Sequence, residues 1–253
     1  MDERQTPAAR DPRLDEEYVR VVDVDGTEVV LVGVVHDHPA SMFRASAVAS
    51  AVDPATVALE LPSLAVPLFR RFANEESSPP RQGGEMSASI QAAPSARTVG
   101  IDAPNLHYLR TLAVKLLAES APAETLRAVA RDVWGSVRQS VRYWTAARFA
   151  AVASVALETD SLGDVSALSH GVDATDSPEA QAADESRHIR RHYSLLNAVE
   201  RPDAVRLVDE TREETMAHKL ERLVGDGSVV AVVGYDHLTE IADLLATDSP
   251  NAR

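Results

Sequence analysis

The stretch that decides the fold is TEVVLVGVVHDH, residues 27–38. Only Asp25-Gly26 separates it from a first valine-rich run, Tyr18 to Val24, and this dipeptide between two apolar runs is a strong hairpin signal. The latter part of the stretch is continuously apolar, which is typical of a strand covered on both faces. We therefore expect a central strand, with His36 just beyond its carboxyl end.

A second segment repeats this pattern. Residues 229–238, VVAVVGYDHL, again form an apolar run that leads into Gly-x-x-His, so that Gly33 to His36 correspond to Gly234 to His237. If the two strands are parallel neighbours, their carboxyl ends lie at one sheet edge, where open α/β sheets bind ligands. The two imidazoles would then converge on one pocket.

Acidic residues occupy the same kind of position. Glu60 and Asp102 each end a short predicted strand, and Glu85 follows Gly83-Gly84, where glycines allow the backbone to approach a ligand closely. One such group alone fits a helix cap or a satisfied polar contact, but the whole set favours a site. Histidines and carboxylates at one edge can bind a divalent metal ion that activates water, or can act as a metal-free acid–base set.

The other histidines carry weaker signals. His36 and His38 are two residues apart, a spacing found at metal sites. His188 and His192 have the helical metal spacing but lack the glutamate of His-Glu-x-x-His, so they are interpreted as a solvated helix face. The last three are interpreted as surface or packing residues: His107, His170 and His218.

The pattern of elements predicts an α/β fold with a central mixed, mostly parallel sheet over residues 17–246. Strands fall within residues 18–102 and 228–233, and the helical spacing between them predicts a long insertion over about residues 104–225. Ser41 is expected to cap the first helix. The polar ends, residues 1–16 and 247–253, are predicted to be flexible tails.

The composition is acidic. The chain has 39 acidic and 25 basic residues, only two of which are lysines, and a net charge of -14 at pH 7. This charge disfavours nucleic-acid and anionic-membrane partners, and the absence of cysteine excludes disulfides and thiolate chemistry. No apolar run predicts a membrane span or a signal peptide, so a cytoplasmic location is expected. The lysine-poor usage is similar to that of proteins from salt-loving archaea, although a GC-rich genome is an alternative explanation.

Five short motifs occur in a fixed order along the chain. They are Gly33-Val-Val-His36 followed by Ser41, Glu60-Leu61, Gly83-Gly84-Glu85-Met86, Glu210-Thr-Arg212-Glu213 before Met216-Ala217, and Val232-Val233-Gly234-Tyr-Asp-His237. This ordered set resembles the TraB/PrgY family, a branch of the group that contains Tiki-type proteases, GumN-like proteins and erythromycin-esterase/ChaN-like proteins. The resemblance implies an α/β fold with a helical insertion and a pocket between the two Gly-x-x-His elements.

The resemblance also implies roles for individual residues. The implied catalytic residues are His36, Glu60, Glu85 and His237. Three of these, His36, Glu60 and His237, would hold a divalent ion such as Mn²⁺, Co²⁺ or Zn²⁺, and another glutamate would take a proton from metal-bound water. The implied substrate-binding residues are Asp102, Glu210 and Arg212. Tiki-type relatives are regarded as metal-dependent proteases, and conjugation-linked members as inhibitors of peptide pheromone signalling.

The expected function is therefore metal-dependent hydrolysis of a peptide or similar small substrate. Two departures from the family pattern motivate alternatives, because Pro62-Ser63-Leu64 and Ala103 stand where members usually have an arginine. These departures favour a non-catalytic peptide-binding or regulatory protein as one alternative. The resemblance to esterase relatives implies another, a metal-free esterase that uses a histidine/glutamate pair. Many archaeal members carry membrane helices after the domain, which this chain is expected to lack.

Overall fold

The computed structural model describes residues 11–153, 170–198 and 201–248. Within these ranges the protein has a five-stranded sheet and eight α-helices. The strands are β1 (Val19–Val24), β2 (Thr27–Val34), β3 (Thr56–Leu59), β4 (Arg97–Gly100) and β5 (Val229–Gly234). The helices are α1 (Pro39–Val52), α2 (Val66–Ala73), α3 (Gly84–Ala92), α4 (Leu106–Ala118), α5 (Ala123–Ala153), α6 (Pro178–Ala198), α7 (Asp203–Leu223) and α8 (Tyr235–Asp248).

The order of strands across the sheet is β1-β2-β5-β3-β4. β1 runs antiparallel to β2, and the other neighbouring pairs are parallel. The predicted α/β fold with a mixed, mostly parallel sheet is confirmed. Val24 pairs with Thr27, so Asp25 and Gly26 form a two-residue loop with positive φ angles of 52° and 79°. This is the turn geometry that Asp-Gly favours.

The register of the sheet brings the two Gly-x-x-His elements together. β5 lies between β2 and β3, and Val34 pairs with Gly234, so both elements leave the sheet at the same edge. Leu59 of β3 pairs with Gly100 of β4, which places the ends of these strands at that edge too. The two related strands are thus parallel neighbours, which is the condition under which their histidines lie at one edge.

Alternate residues of the central strands enter two separate cores. Leu31 and Ala231 lie in a core with residues of α7 and α8, whereas Val32 and Val232 lie in a core with residues of α1 and α3. The sheet is therefore covered on both faces, which explains why β2 and β5 are almost uninterrupted apolar runs.

Helices α4 to α7 lie between β4 and β5, where the long helical insertion is predicted. Residues 154–169, a part of this predicted insertion, lie outside the described ranges. Helix α2 begins at Val66, with Pro67 in its first turn.

The predicted cap of α1 was wrong. His38 is the N-cap, and its Nδ1 accepts the Ala40 N–H at 3.1 Å, because Pro39 already begins the helix. Ser41 lies inside α1, where its Oγ accepts the Val35 N–H at 2.8 Å.

The predicted N-terminal tail ends earlier than residue 16. Residues 12–14 and 16–18 form two short 3-10 turns, because the Arg13 guanidinium stacks on Phe43 and the Arg13 carbonyl accepts from Arg44 Nε. Residues 1–10 and 249–253 of the predicted tails lie outside the described ranges. In the part of the chain that the structure describes, no helix combines the length and apolarity needed to cross a membrane.

Candidate functional site

Polar side chains follow four parallel strands where these strands end together. His36 follows β2, Glu60 follows β3, Asp102 follows β4, and His237 lies in the first turn of α8, directly after β5. The parallel register thus assembles, at the carboxyl edge of the sheet, residues that are far apart in sequence.

His36 is held by Glu85 at the start of α3. Its Nδ1 lies 2.7 Å from Glu85 Oε1, and Glu85 Oε2 accepts the Asp37 backbone N–H at 3.0 Å. Glu85 is buried, whereas 57% of the His36 side chain is exposed. The hydrogen bond and charge of Glu85, with a smaller effect of Glu60, raise the pKa of His36 to about 9. His36 is therefore a cation at neutral pH that solvent and ligands can reach.

A glycine turn makes this contact possible. Gly83 and Gly84 both have positive φ angles, 80° and 49°, and a Cβ atom on Gly84 would lie only 2.4 Å from Asp37 Oδ1. The two glycines therefore allow the backbone to approach another group closely, as the sequence suggests. That group is the loop that carries His36, and not a ligand.

His237 is held in a similar way by Glu213 of α7. Its Nδ1 lies 2.8 Å from Glu213 Oε1, and its Nε2 lies 3.6 Å from Glu60 Oε1. Burial would lower the pKa of His237, but the hydrogen bond to Glu213 and the charge of Glu60 raise it above its ordinary value. Each of the two histidines thus has a glutamate on Nδ1, and the charge of Glu60 acts on both.

Arg212 of α7 joins the two remaining acids. Its Nη2 donates to Glu60 Oε1 at 2.8 Å and to Asp102 Oδ2 at 2.9 Å, and its Nε donates to Asp102 Oδ1 at 3.0 Å. The second oxygen of Glu60 accepts the Gly234 N–H at 2.6 Å. Burial would lower the pKa of Arg212, but Asp102 and Glu60 raise it, so its charge is permanent. One cation therefore pairs with both carboxylates, and the three groups together keep one negative charge.

A second cation approaches the end of β4 from the same helix. Lys219 Nζ donates to the backbone carbonyl oxygens of Gly100 and Asp102, at 3.4 and 3.0 Å. Burial lowers the pKa of Lys219.

The structure does not bring Glu210 to the site. Glu210 is partly exposed and pairs with Arg206 and Lys115 on another side of α7. Successive residues of an α-helix are rotated by about 100° around its axis. Glu210 is two residues from Arg212 and is therefore rotated by about 200° from it, whereas Glu213 is rotated by only about 100°. The acid of this motif that contacts His237 is Glu213 and not Glu210, and the helical period of the sequence is the signal that could have indicated it.

The predicted metal ligands at the edge do not fit one ion. Glu60 accepts from Arg212 with one oxygen and from the Gly234 N–H with the other, and the spacing of the three ligand atoms is the stronger objection. Among the described residues, the ligand atoms of His36, Glu60 and His237 do not form a set within 4.8 Å of one another.

A different cluster that could hold a metal ion lies beside this edge. His38, His170 and Asp184 each offer a ligand atom, and these atoms all lie within 4.8 Å of one another. The interpretation of His170 as an ordinary surface or packing residue is therefore incomplete. Residues 38, 170 and 184 have no motif spacing in sequence, because the chain brings them together only in the fold.

Comparison of the chain with family models, with curated proteins and with solved structures found no match.

Proposed function

We propose that the protein is a hydrolase of the TraB/PrgY type that cleaves a peptide bond, or a related bond of a small substrate, at the carboxyl edge of the sheet. One observation carries this proposal: the imidazoles of both Gly-x-x-His elements are held at Nδ1 by a glutamate, and Glu60 acts on both. Two oriented imidazoles at one site are the acid–base set that hydrolysis of an acyl bond requires.

The two histidines have different environments, which suggests different roles. His36 is charged at neutral pH and its side chain is 57% exposed, so it suits proton donation to the leaving group. His237 is mostly buried, and in its neutral form it can take a proton from water while Glu213 stabilises the resulting imidazolium. Water then attacks the carbonyl carbon, the bond to the leaving group breaks, and His36 supplies the proton that the leaving group needs.

Glu60, Arg212 and Asp102 position this pair and do not exchange protons in the proposed step. Arg212 holds both carboxylates, and Glu60 lies 3.6 Å from His237 Nε2. Glu85 and Glu213 fix the ring orientation of the two histidines, as the third group of a catalytic triad does.

A metal-dependent form of the reaction receives less support from the geometry. It would place Mn²⁺, Co²⁺ or Zn²⁺ between His36, Glu60 and His237, and among the described residues the ligand atoms of these three do not form a set within 4.8 Å of one another. The proposed reaction therefore corresponds to the metal-free alternative. The acidic chain favours a peptide or small-molecule substrate in the cytoplasm over a nucleic acid.

The test is hydrolysis of mixed peptides and of small esters by the purified chain, with a chelator present and products identified by mass spectrometry. We expect turnover by the wild-type protein and a loss of about 100-fold or more in His36→Gln and His237→Gln. Glu210→Gln is the matched control, because Glu210 lies on the same helix as Arg212 but outside the site, and it should retain full activity.

Two results would contradict the proposal. Binding of peptides without any cleavage would favour the non-catalytic alternative, and equal turnover by the wild type and both histidine variants would place the chemistry elsewhere. Circular dichroism of each variant shows that a lost activity is not a lost fold.

A further inference from the structure

We infer that His38, His170 and Asp184 bind one divalent cation of the zinc type, at a site separate from the proposed hydrolytic residues. The cluster joins three parts of the chain: the N-cap of α1, the segment before α6, and α6 itself. Its ligand atoms lie within 4.8 Å of one another.

Two ring nitrogens of this cluster are buried without a partner. Nε2 of His38 and Nδ1 of His170 have no hydrogen bond within the described residues, and the whole His38 residue is 0% exposed. Nε2 of His38 is directed to Asp184 Oδ2, but at 3.5 Å this contact is longer than a normal hydrogen bond. Buried polar atoms are nearly always satisfied, so two orphans in one cluster indicate a missing partner.

His170 has the geometry of a metal ligand. Its Nε2 lies 3.1 Å from the backbone carbonyl oxygen of His36, to which it donates, so the lone pair of the neutral ring is on Nδ1. Metal-binding histidines commonly donate their other N–H to a carbonyl or carboxylate in this way. Asp184 Oδ1 pairs with Arg187 at 2.7 Å, and Oδ2 accepts the Gly171 N–H at 3.2 Å and lies 3.5 Å from His38 Nε2. A carboxylate oxygen has two lone pairs, so Oδ2 can keep the Gly171 contact and still face a cation.

His38 must change its tautomer to bind. In the structure Nδ1 accepts the Ala40 N–H, so the proton of the neutral ring is on Nε2. When the cation binds to Nε2, the proton on that nitrogen is released to solvent. The ring stays neutral because Nδ1 takes up a proton from solvent. The Ala40 N–H then loses its acceptor at the start of α1, so metal binding reports on the Ala40 amide.

The donor set selects the class of ion. Two imidazole nitrogens and one carboxylate oxygen suit Zn²⁺ or Co²⁺ with a water molecule as fourth ligand, and do not suit Ca²⁺ or Mg²⁺, which prefer oxygen. The three ligand atoms lie within 4.8 Å of one another. To form bonds of about 2.0–2.2 Å to one ion, any two of these atoms need to approach each other by no more than about 1.5 Å.

The cation would stiffen the loop that carries His36. His170 donates to the His36 carbonyl, and His38 is two residues further along, so one ion fixes this loop to α6. The expected role is positioning, and the ion takes no part in the proposed proton transfers.

The experiment uses the full, untagged chain after treatment with a chelator. Zn²⁺ is titrated by calorimetry, Co²⁺ is titrated by visible absorption, and the midpoint of thermal unfolding is measured with and without Zn²⁺. We expect one ion per chain, the absorption of four-coordinate Co²⁺, a raised midpoint, and a shifted Ala40 amide signal in NMR spectra. His170→Ala and Asp184→Asn should weaken binding by about 100-fold or more.

Two matched controls separate this site from the others. His218→Ala removes a histidine that stacks on His107, and His237→Ala removes one of the proposed catalytic residues; both should bind as the wild type does. Absence of one-to-one binding, or unchanged binding by His170→Ala, would overturn the inference. Loss of binding in His237→Ala would place the ion at the sheet edge and would also overturn the inference. The hydrolysis assay contains a chelator, so its result is independent of these binding measurements.

Discussion

Each histidine of the proposed catalytic pair is oriented by a carboxylate on its Nδ1 atom. Glu85 holds His36 at 2.7 Å and Glu213 holds His237 at 2.8 Å. A carboxylate at this position fixes the ring and stabilises its charged form, so the pKa of each histidine rises. The chemistry of the site therefore depends on the two glutamates as much as on the imidazoles.

Glu213→Gln should lower the pKa of His237. The amide removes the negative charge that offsets burial, and burial alone lowers the pKa. Because the raised pKa belongs to the folded state, the stability that this pair contributes is present at low pH and is lost as the pH rises through the pKa of folded His237. NMR titration of the ring protons measures the shift, and urea unfolding at several pH values measures the lost stability.

The control for this variant is Glu210→Gln on the same helix. Glu210 pairs with Arg206 and Lys115, so its change should leave the pKa of His237 where it is in the wild type. A pKa of His237 that falls equally in both variants would show that the effect is only a change of net charge.

Sequence analysis identified the residues at the strand ends but not all of their partners. His36, Glu60, Asp102 and His237 follow strands, so the position of each was predictable from the apolar runs. Glu213 and the pair His170 and Asp184 were missed, because helical phase and contacts across the fold decide their positions.

The turn that precedes α3 sets the distance between two elements of the site. Gly84 has a φ of 49°, and Asp37 lies where a Cβ atom would be. The backbone conformation at position 84 favours glycine, and a side chain there would also displace the carboxylate of Asp37 in the loop of His36.

Gly84→Ala should destabilise the protein by about 1–3 kcal/mol, because the new methyl group meets Asp37 and the backbone angle is strained. Gly135→Ala is the matched control. Gly135 lies inside α5, where nothing lies within 4 Å of the added Cβ, and alanine should stabilise this helix by about 0.5–1 kcal/mol. Urea unfolding measures both; a Gly84→Ala variant as stable as the wild type would contradict the described turn.

Helix α6 is fixed to α1 by a buried ion pair. Arg44 and Glu185 are both 0% exposed, Arg44 also donates to the Gly33 carbonyl at 2.9 Å, and Ser41 donates to Glu185. This network explains why a serine follows the first Gly-x-x-His element. Ser41 does not cap a helix; it links the end of β2 to α6. The strands were predictable from valine-rich runs, but this link was not, since its members are far apart in sequence.

The whole molecule carries a large excess of acid. A few acids form the site, and the remaining surplus produces repulsion over the surface at a net charge of -14. The charge therefore bears on solubility and stability in salt more than on the reaction.

The free energy of unfolding should rise when KCl is increased from about 0.1 to about 1 M at pH 7, because salt screens the repulsion. Urea unfolding at each salt concentration measures this rise. Near pH 5, close to the sequence pI of about 5.0, the net charge is small, so the same salt range should have little effect. An equal rise at both pH values would mean that screening of net charge is not the cause.

In the proposed site, His36 and His237 come from opposite ends of the chain and lie around Glu60. The most direct measurement is an NMR titration of both histidines in the wild type and in Glu60→Gln, with a chelator present. Because the charge of Glu60 raises the pKa of each histidine, we predict that both pKa values fall in the variant. A variant in which the pKa of His237 falls and that of His36 stays at its measured wild-type value would contradict this placement.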